Sequence, residues 1–394
     1  MKVLILSCNT GEGHNSCAGA VAEAFRRQGI VCDTVDSLRF ISPVVSELMA
    51  HGHRFVYRNL PALFDWGYRF TEKHDFFYRK GAPLYNFLSL GASKLASYIN
   101  ENGYDTVICA HVFSGVMMTE AKPLCSRNIL TSFLTTDYTC SPITEKSKLD
   151  MYFIPDERVA AHFVDRGVDG ERLISTGLPV REDFYRITDR ISAKTAEGIS
   201  PDHAHLVIMC GSMGCGPMSE IVRNMADKFT GSIEMTVVCG NNKRLYKKLT
   251  ARYAHKSHIH IRGYVKNISR LMDSADVYLT KPGGISVTEA SVKKVPMVLV
   301  NAVGGCEQYN YDFFIKNGSA ITGKTVEELT DCCLSLLMNP DVGETMGAQC
   351  GETIACNGAR DIVTYLIGAY DNTPRHLTFC VPENKGAIQE EYAI

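Results

Sequence analysis

Residues 277–290 read VYLTKPGGISVTEA and combine the signals of a strand, a turn and a helix. Residues 277–279 are apolar or aromatic and predict a buried β-strand, while residues 286–293 have the pattern of a helix. The letters KPGG between them predict a tight turn. A strand that passes through glycines into a helix forms a βα unit, and the free backbone amides at the start of such a helix can face an anion.

The same alternation of apolar strand and amphipathic helix occurs along most of the chain. Strands are predicted at residues 2–6, 30–35, 106–110, 130–134, 151–154, 173–176, 205–209, 235–239, 259–262, 277–279 and 297–300. Helices are predicted at residues 15–28, 157–166, 218–228, 243–254, 268–274, 286–293, 307–317 and 326–338. Strands that are apolar throughout and separated by helices indicate parallel sheets covered on both faces. Because the pattern occurs twice, the sequence predicts an α/β protein with two Rossmann-like domains that face each other across a cleft.

The length of 394 residues also favours two domains, since a single core stops growing below that size. The polar segment 188–203 is predicted as the hinge between an N-terminal domain, residues 1–187, and a C-terminal domain, residues 204–371. Residues 372–394 are predicted as a tail.

Composition narrows the class of protein. The chain is 45% hydrophobic and 21% charged with a net charge of −2, which is typical of a soluble globular protein and argues against binding to nucleic acid by bulk charge. Its fifteen cysteines include no C-x-x-C pair, so we expect free thiols and no metal site. No apolar stretch has the length of a membrane-spanning helix, and we expect a cytoplasmic protein.

An insert at about residues 51–98 interrupts the alternation. Residues 51–90 contain eleven aromatic side chains, including the only Trp, and residues 51–100 carry seven Lys or Arg against three Asp or Glu. Aromatic and basic residues interleaved on amphipathic helices can dock to an anionic membrane surface, although the aromatics of a helical hairpin can equally form core. The residues predicted to bind the membrane are Phe64, Trp66, Arg69, Phe70, Phe76, Phe77, Arg79 and Lys80.

The first motif, NTGEGHNS at residues 9–16, directly follows the first strand. Glycines there let the backbone turn tightly beside a helix start. His14 lies in the first turn of that helix, where a histidine can act as a general base with a pKa near neutrality. The alternative is that His14 only caps or hydrogen-bonds the loop.

The second motif, CGSMGCGP at residues 210–217, also lies between a strand and a helix. Its glycines suit a loop that presents backbone N–H groups to a phosphate, or else form a plain turn. The Lys-Ser/Thr pair of an ATP-hydrolysing P-loop is missing. The residues of this loop predicted to face the phosphate are Gly211, Ser212, Met213, Gly214 and Gly216, and the resemblance described below implies that this phosphate belongs to the donor substrate.

The third motif, TKPGGISVTEA at residues 280–290, lies between the strand 277–279 and the helix that follows it. The amides of Gly283 and Gly284 and the helix dipole would face a diphosphate, and Glu289 lies where a carboxylate can bind a ribose diol. Downstream, residues 304–310 read GGCEQYN, and their polar side chains suit sugar hydroxyls or serve as helix caps.

These motifs together resemble the GT-B glycosyltransferases of the branch that contains monogalactosyldiacylglycerol synthases and processive diacylglycerol β-glucosyltransferases. The similarity covers about residues 1–365. It is carried by LILSCNTGEGHNS, LTTDY at residues 134–138, STGLPVREDF at 175–184, CGSMGCGP, VVCGNNKRL, RGYVKNI at 262–268 and KPGGISVTEA.

The resemblance implies roles for individual residues. His14 would deprotonate the acceptor hydroxyl, and Asp137 would orient or assist it. Tyr264 and Val265 would hold the uracil, and Glu289 the ribose. The other positions implied in donor binding are Gly13, Pro282, Gly283, Gly284, Ile285, Glu307, Gln308 and Asn310.

The implied reaction is an inverting transfer of a hexose from a UDP-sugar to a membrane lipid, diacylglycerol in the first place, by an enzyme at the inner face of the cell membrane. It implies no metal and no cofactor besides the donor substrate. The chain departs from its relatives at Cys306 and at residues 139–142, so the hexose and the acceptor stay open. The alternatives are a soluble or polyprenyl-linked acceptor, a UDP-sugar 2-epimerase, and a UDP-sugar-binding protein without activity.

Overall fold

The computed structural model describes residues 1–371 except positions 10, 213, 215, 230, 231, 302 and 303, and only the backbone of residues 54, 57 and 58. The predicted donor-binding residue Met213 and the predicted tail 372–394 lie outside the described residues.

Twelve strands form two six-stranded sheets in the described part of the chain, and every strand pair is parallel. The first sheet has the order β2-β1-β3-β4-β5-β6 and the second the order β12-β11-β10-β7-β8-β9. The strands are β1 Lys2–Ser7, β2 Val31–Asp36, β3 Thr106–Cys109, β4 Leu130–Leu134, β5 Met151–Ile154, β6 Leu173–Ser175, β7 Ala204–Met209, β8 Ile233–Val238, β9 Ile259–Arg262, β10 Val277–Thr280, β11 Met297–Leu299 and β12 Ala320–Thr322.

Helices connect the strands and cover both sheets. They are α1 Glu12–Arg27, α2 Pro43–Asn59, α3 Pro61–Lys73, α4 Pro83–Ser89, α5 Ala92–Asn102, α6 Val112–Ala121, α7 Ala160–Val164, α8 Arg190–Glu197, α9 Met218–Lys228, α10 Lys243–Tyr253, α11 Ile268–Asp273, α12 Gly284–Val292, α13 Cys306–Lys316, α14 Val326–Met338, α15 Pro340–Thr353 and α16 Gly358–Tyr370. None of the described helices combines the length and the apolarity needed to span a bilayer.

The predicted fold class is confirmed, and the eleven predicted strands match eleven observed ones to within two residues at each end. The twelfth strand, β12, was not predicted because only three residues pair and they occupy the sheet edge. The strand orders place one topological switch point in each sheet, between β1 and β3 and between β7 and β10. Ligands of open parallel sheets bind at such crevices, beyond the carboxyl ends of the strands.

The last helix departs from the predicted domain boundary at residue 371. Ile362, Val363 and Leu366 of α16 belong to the same buried cluster as Val21 and Phe25 of α1. Helix α16 therefore returns to the first domain, because its apolar stripe completes the outer layer of the first sheet.

The predicted hinge 188–203 also differs from the structure, since it contains α8 and is held to the second sheet. Lys194 Nζ lies 2.7 Å from the Asp276 carboxylate and donates to the His203 carbonyl, and Glu197 pairs with Arg262 and Arg270. These bonds make α8 a fixed part of the second domain.

A dense polar and aromatic interface joins the two domains. The Tyr138 amide donates to Asn310 Oδ1 at 2.7 Å, the Tyr138 hydroxyl lies 2.8 Å from Thr288 Oγ1, and its ring stacks on Phe313 at 4.4 Å. The Arg158 guanidinium covers the same Phe313 ring at 4.8 Å. The carboxyl ends of both sheets therefore meet at a closed contact on one side of the cleft.

Candidate active site

His14 lies at the switch point of the first sheet. Its Nδ1 is 2.8 Å from the carbonyl oxygen of Ala110, the residue that follows β3. A carbonyl only accepts, so Nδ1 carries the hydrogen and Nε2 keeps its lone pair. Burial lowers the pKa of His14, opposed by the Asp137 carboxylate and the Ala110 carbonyl, which both raise it. The neutral ring with a basic Nε2 is the form that a general base requires.

A short hydrogen-bonded chain connects His14 to Asp137. Thr136 Oγ1 lies 3.3 Å from His14 Nδ1 and donates to Asp137 Oδ2 at 3.0 Å. Asp137 therefore acts on His14 through the Thr136 hydroxyl and through its charge, not by direct contact. This arrangement stabilises a positive charge that develops on the His14 ring.

A second histidine packs against the first. The His111 ring lies edge-on to His14 with 4.6 Å between the centroids. His111 Nδ1 accepts from the Phe113 amide at 3.1 Å, which caps α6 and fixes the tautomer with hydrogen on Nε2. Burial lowers the pKa of His111 well below the ordinary value, so the ring next to His14 is neutral.

The N-terminus of α12 contacts the segment that carries Asp137. A Cβ on Gly284 would lie 2.3 Å from the Thr136 carbonyl oxygen, so only glycine permits this approach. Asn310 donates to Asp137 Oδ1 at 2.8 Å and to the Pro282 carbonyl at 3.0 Å. Both amide hydrogens of Asn310 are thereby used within the protein, so Asn310 holds Asp137 and α12 in place, and its contact with the donor stays a prediction.

Two further predicted residues meet across the cleft. Gly13 lies in the first turn of α1, and a Cβ there would be 3.9 Å from Cγ1 of Ile285, an ordinary contact distance. The N-termini of α1 and α12 therefore face each other.

The predicted phosphate loop after β7 is braced by the loop after β8. A Cβ on Gly214, whose φ is +54°, would lie 2.5 Å from the Cys239 carbonyl oxygen. The Asn241 amide donates to the Ser212 carbonyl at 2.8 Å, and Asn242 Nδ2 donates to the Gly214 carbonyl at 3.1 Å. These contacts fix the backbone at the switch point of the second sheet.

Lys281 occupies that switch point. A Cβ on Gly211 would lie 2.7 Å from Lys281 Cε, and one on Gly283 would lie 3.7 Å from Lys281 Nζ. The ammonium group pairs with the carboxylate of Glu307, which is 6% exposed. A cation, two glycine loops and the N-terminus of α12 thus converge on one point, an arrangement suited to a diphosphate.

Glu289 is buried in the second turn of α12, near Arg181 and Asp183. Burial raises its pKa to about 8, Arg181 opposes the shift, and the Asp183 carboxylate adds to it. A strongly perturbed carboxyl in a cleft is typical of a functional position.

Four other residues were predicted to bind the donor: Tyr264, Val265, Gln308 and Gly216. Tyr264 is 64% exposed at the end of β9, while Val265 packs against the main core. Gln308 is exposed and donates to Asp312 along α13 at 2.9 Å, and Gly216 is exposed. The roles of these four positions in donor binding stay predictions.

Most of the predicted membrane-binding residues lie on the surface. Trp66 is 61% exposed and stacks on Phe70 at 5.3 Å, and Phe70 contacts Phe77, which contacts Phe76. Arg69, Arg79 and Lys80 are also exposed. Phe64 differs, because it is half-buried on the opposite face of α3, against the His53 ring and the position of Gly305.

A cavity of about 690 Å³ lies beside the start of α1. The β1–α1 loop and helix α2 form most of its wall, and Ser212 and Asn241 contribute from the second domain. Its size is that of a typical small-molecule site.

Two family models match the chain, one to each half. Residues 14–180 match monogalactosyldiacylglycerol (MGDG) synthase, and residues 230–352 match glycosyl transferases group 1. A crystal structure of a glycosyltransferase from Rickettsia africae superposes with a TM-score of 0.57 at 14% identity, covering 95% of this chain and 99% of the other. The chain is a GT-B glycosyltransferase. MurG of Acinetobacter baumannii gives a TM-score of 0.64 at 14% identity, covering 93% and 99%, and supports the same fold.

Curated relatives of this glycosyltransferase include several enzymes named processive diacylglycerol beta-glucosyltransferase. The one from Bacillus subtilis (strain 168) is 29% identical over 375 residues, which cover 93% of this chain and 94% of the relative. The one from Bacillus cereus (strain B4264) is 28% identical over 389 residues, which cover 97% of each.

Three residues of the candidate site were not predicted from the sequence. Lys281 is the first residue of the KPGG turn, and a cation beside two glycines could have indicated a phosphate contact. His111 directly follows the apolar strand 106–110 at the switch point, as His14 follows β1. Thr136 lies in the LTTDY motif beside Asp137, but its contact with His14 spans 122 residues and could not be predicted from the motif.

The His14–Thr136–Asp137 chain predicts how the His14 ring titrates. In Asp137→Asn the amide oxygen still accepts from Asn310, but the charge that raises the His14 pKa is lost. The His14 pKa should therefore fall further below its ordinary value of about 6.5. An NMR titration of the ring, with the surface variant Asp331→Asn as control, measures this. A higher pKa in Asp137→Asn would contradict the assignment.

The raised pKa of Glu289 predicts a pH-dependent cost in stability. Between the unfolded value near 4.5 and about 8, the folded protein binds a proton that the unfolded chain releases, so stability falls as pH rises through this window. Glu289→Gln removes that dependence. Relative to wild type, its unfolding free energy from urea denaturation should improve from pH 4.5 to pH 8 by a few kcal/mol, at about 1.4 kcal/mol per pKa unit. An equal difference at both pH values would show that Glu289 is not a buried acid.

Proposed function

We propose that this glycosyltransferase moves a hexose from a UDP-sugar to diacylglycerol at a membrane surface and inverts the configuration of the anomeric carbon. The observation that carries the proposal is the position of His14, whose basic Nε2 lies at one switch point while the diphosphate-type loops lie at the facing one. The relatives' names and the MGDG synthase match support the lipid acceptor. A structural neighbour, Anabaena HepE, was crystallised with UDP and glucose.

The donor would bind along α12 and α13. The N–H groups of Gly283 and Gly284, with the Lys281 ammonium, would neutralise the diphosphate, and Glu289 would accept from the ribose hydroxyls. Glu307 lies in the first turn of α13, one side chain from Lys281, and would bind hydroxyls of the hexose.

The transfer step requires a base on the side of the sugar opposite the diphosphate. The diacylglycerol hydroxyl attacks the anomeric carbon and forms the new C–O bond, and its proton passes to His14 Nε2. The bond between the anomeric carbon and the phosphate oxygen breaks with its electron pair on UDP. The imidazolium that forms is stabilised by the Ala110 carbonyl and by the Thr136–Asp137 chain, and the Lys281 charge stabilises the departing UDP.

Transfer to lipid is tested by incubating the purified chain with vesicles of diacylglycerol and anionic phospholipid and with several UDP-hexoses. Mass spectrometry should show a hexosyl-diacylglycerol with one donor. His14→Ala should lower turnover by several orders of magnitude while UDP still binds, because only the base is lost. UDP release without glycolipid would indicate a soluble or polyprenyl-linked acceptor, conversion of the donor itself would indicate an epimerase, and wild-type turnover in His14→Ala would end the base assignment.

We further propose that the exposed aromatic surface of the insert docks to the membrane. Leu63, Trp66 and Phe70 follow one another at spacings of three and four on α3, so they share one face of the helix. Phe76 and Phe77 extend this surface, being 48% and 40% exposed. An apolar patch of this kind, with Arg79 and Lys80 beside it, suits an interface with anionic lipid head groups.

The docking surface predicts weaker vesicle binding when its aromatics are removed. Trp66→Ser combined with Phe77→Ser should reduce co-sedimentation with anionic vesicles more than tenfold, because both rings leave an apolar environment. Met338→Ser, which removes an exposed apolar side chain on α14 outside the insert, is the control. Binding of the wild type should fall with salt. Unchanged binding of the double variant would assign these rings to packing within the insert.

A further inference from the structure

Helix α3 presents different chemistry on its two faces. The outer face carries Leu63, Trp66 and Phe70, and the opposite face carries Phe64, Asp65, Tyr68 and Glu72. That inner face does not pack on the first domain alone. It lies against Gly304 and Gly305 and against the first turn of α13 in the second domain. The insert therefore reaches across the cleft.

The contact at the start of α13 is made by Asp65. Asp65 Oδ1 accepts from the Gly305 amide at 3.0 Å, and Gly305 is the residue that caps α13. Gly304 and Gly305 have φ values of +116° and +64°. A Cβ on Gly304 would lie 2.2 Å from Asp65 Oδ1, and one on Gly305 would lie 3.1 Å from the Tyr68 ring. The loop is therefore shaped around α3, and only glycine fits.

A second bond holds the next turn of the same helix. The Tyr309 hydroxyl donates to Glu72 Oε1 at 3.0 Å, and Glu72 also pairs with Arg166 of the first domain at 3.2 Å. Asp65 and Glu72 are two turns apart on α3, so two points fix the direction of α13 relative to α3.

The first turn of α13 is the part of the fold that carries Glu307. Its carboxylate is buried and pairs with Lys281, so a small displacement of the helix start would move it away from the diphosphate loops. The Asp65 carboxylate also lies at the positive end of the α13 dipole, which strengthens its bond to the Gly305 amide.

From these contacts we infer that Asp65 is a positioning residue for the donor hexose: it fixes the start of α13, and with it Glu307, from the membrane-docking helix. This inference rests on the proposed function in its assignment of Glu307 to the hexose. The two faces of this 13-residue helix then have different roles. The outer face docks to the membrane, and the inner face completes the donor site.

The experiment compares the affinity of the full-length chain for UDP with its affinity for UDP-glucose, UDP-galactose and UDP-N-acetylglucosamine by calorimetry. In Asp65→Ala the affinity for the preferred UDP-sugar should fall about tenfold, while the affinity for UDP should stay within twofold, because UDP has no hexose. Asp65→Asn keeps an oxygen that accepts from Gly305 and should stay within about threefold of wild type for both ligands. Asp75→Ala, which removes another acidic side chain of the insert, should bind both as the wild type does.

Four results would overturn the inference. They are an unchanged UDP-sugar affinity in Asp65→Ala, an equal loss for UDP and UDP-sugar, an Asp65→Asn variant as weak as Asp65→Ala, and a wild type that binds no UDP-sugar. The third result would assign the effect to the ion pair between Asp65 and Arg69. A wild type that shows the expected binding pattern but makes no glycolipid would contradict the proposed acceptor only, and would leave the role of Asp65 supported.

Discussion

The contact between residues 136–138 of the first domain and the N-termini of α12 and α13 is the constraint on which the site depends. Gly284 can approach the Thr136 carbonyl only because it has no Cβ. The Asn310 amide donates to Asp137 and to the Pro282 carbonyl, and its oxygen accepts from the Tyr138 amide. This junction sets the distance between the two sheets at their carboxyl ends. The positions of His14 on one side and of Lys281 on the other follow from it.

The junction also keeps the ionisable groups of the candidate site buried, and burial shifts the pKa values of His14 and Glu289. His14 is kept neutral by burial, and the Asp137 charge opposes that effect through a single intervening hydroxyl. Glu289 and Glu307 are buried carboxyl groups in a cleft, one with a raised pKa and the other paired with a lysine. Burying such groups weakens the fold, which is the usual relation between an active site and stability.

Much of the fold could be predicted because the strands are continuous apolar runs and the turns after them carry glycine. Those signals are local, and they located His14, the loop after β7 and the start of α12. The contacts that complete the site are not local: Asp65 meets Gly305 across 240 residues, and Asn310 meets Asp137 across 173. The return of α16 to the first domain was missed for the same reason. The apolar pattern of a helix predicts a buried face but not which of the two sheets that face packs against. Phe64 could not be separated from its exposed neighbours, because which face of α3 meets α13 depends on the domain arrangement.

A crystal structure of the chain with UDP-glucose, or with the UDP-sugar it prefers, would show directly whether the donor spans α12 and α13 opposite His14. We expect diphosphate oxygens within hydrogen-bond distance of the Gly283 and Gly284 amides, ribose hydroxyls on Glu289, and the hexose between Glu307 and His14 Nε2. A nucleotide bound instead in the cavity along α2, with its diphosphate away from α12, would contradict this expectation.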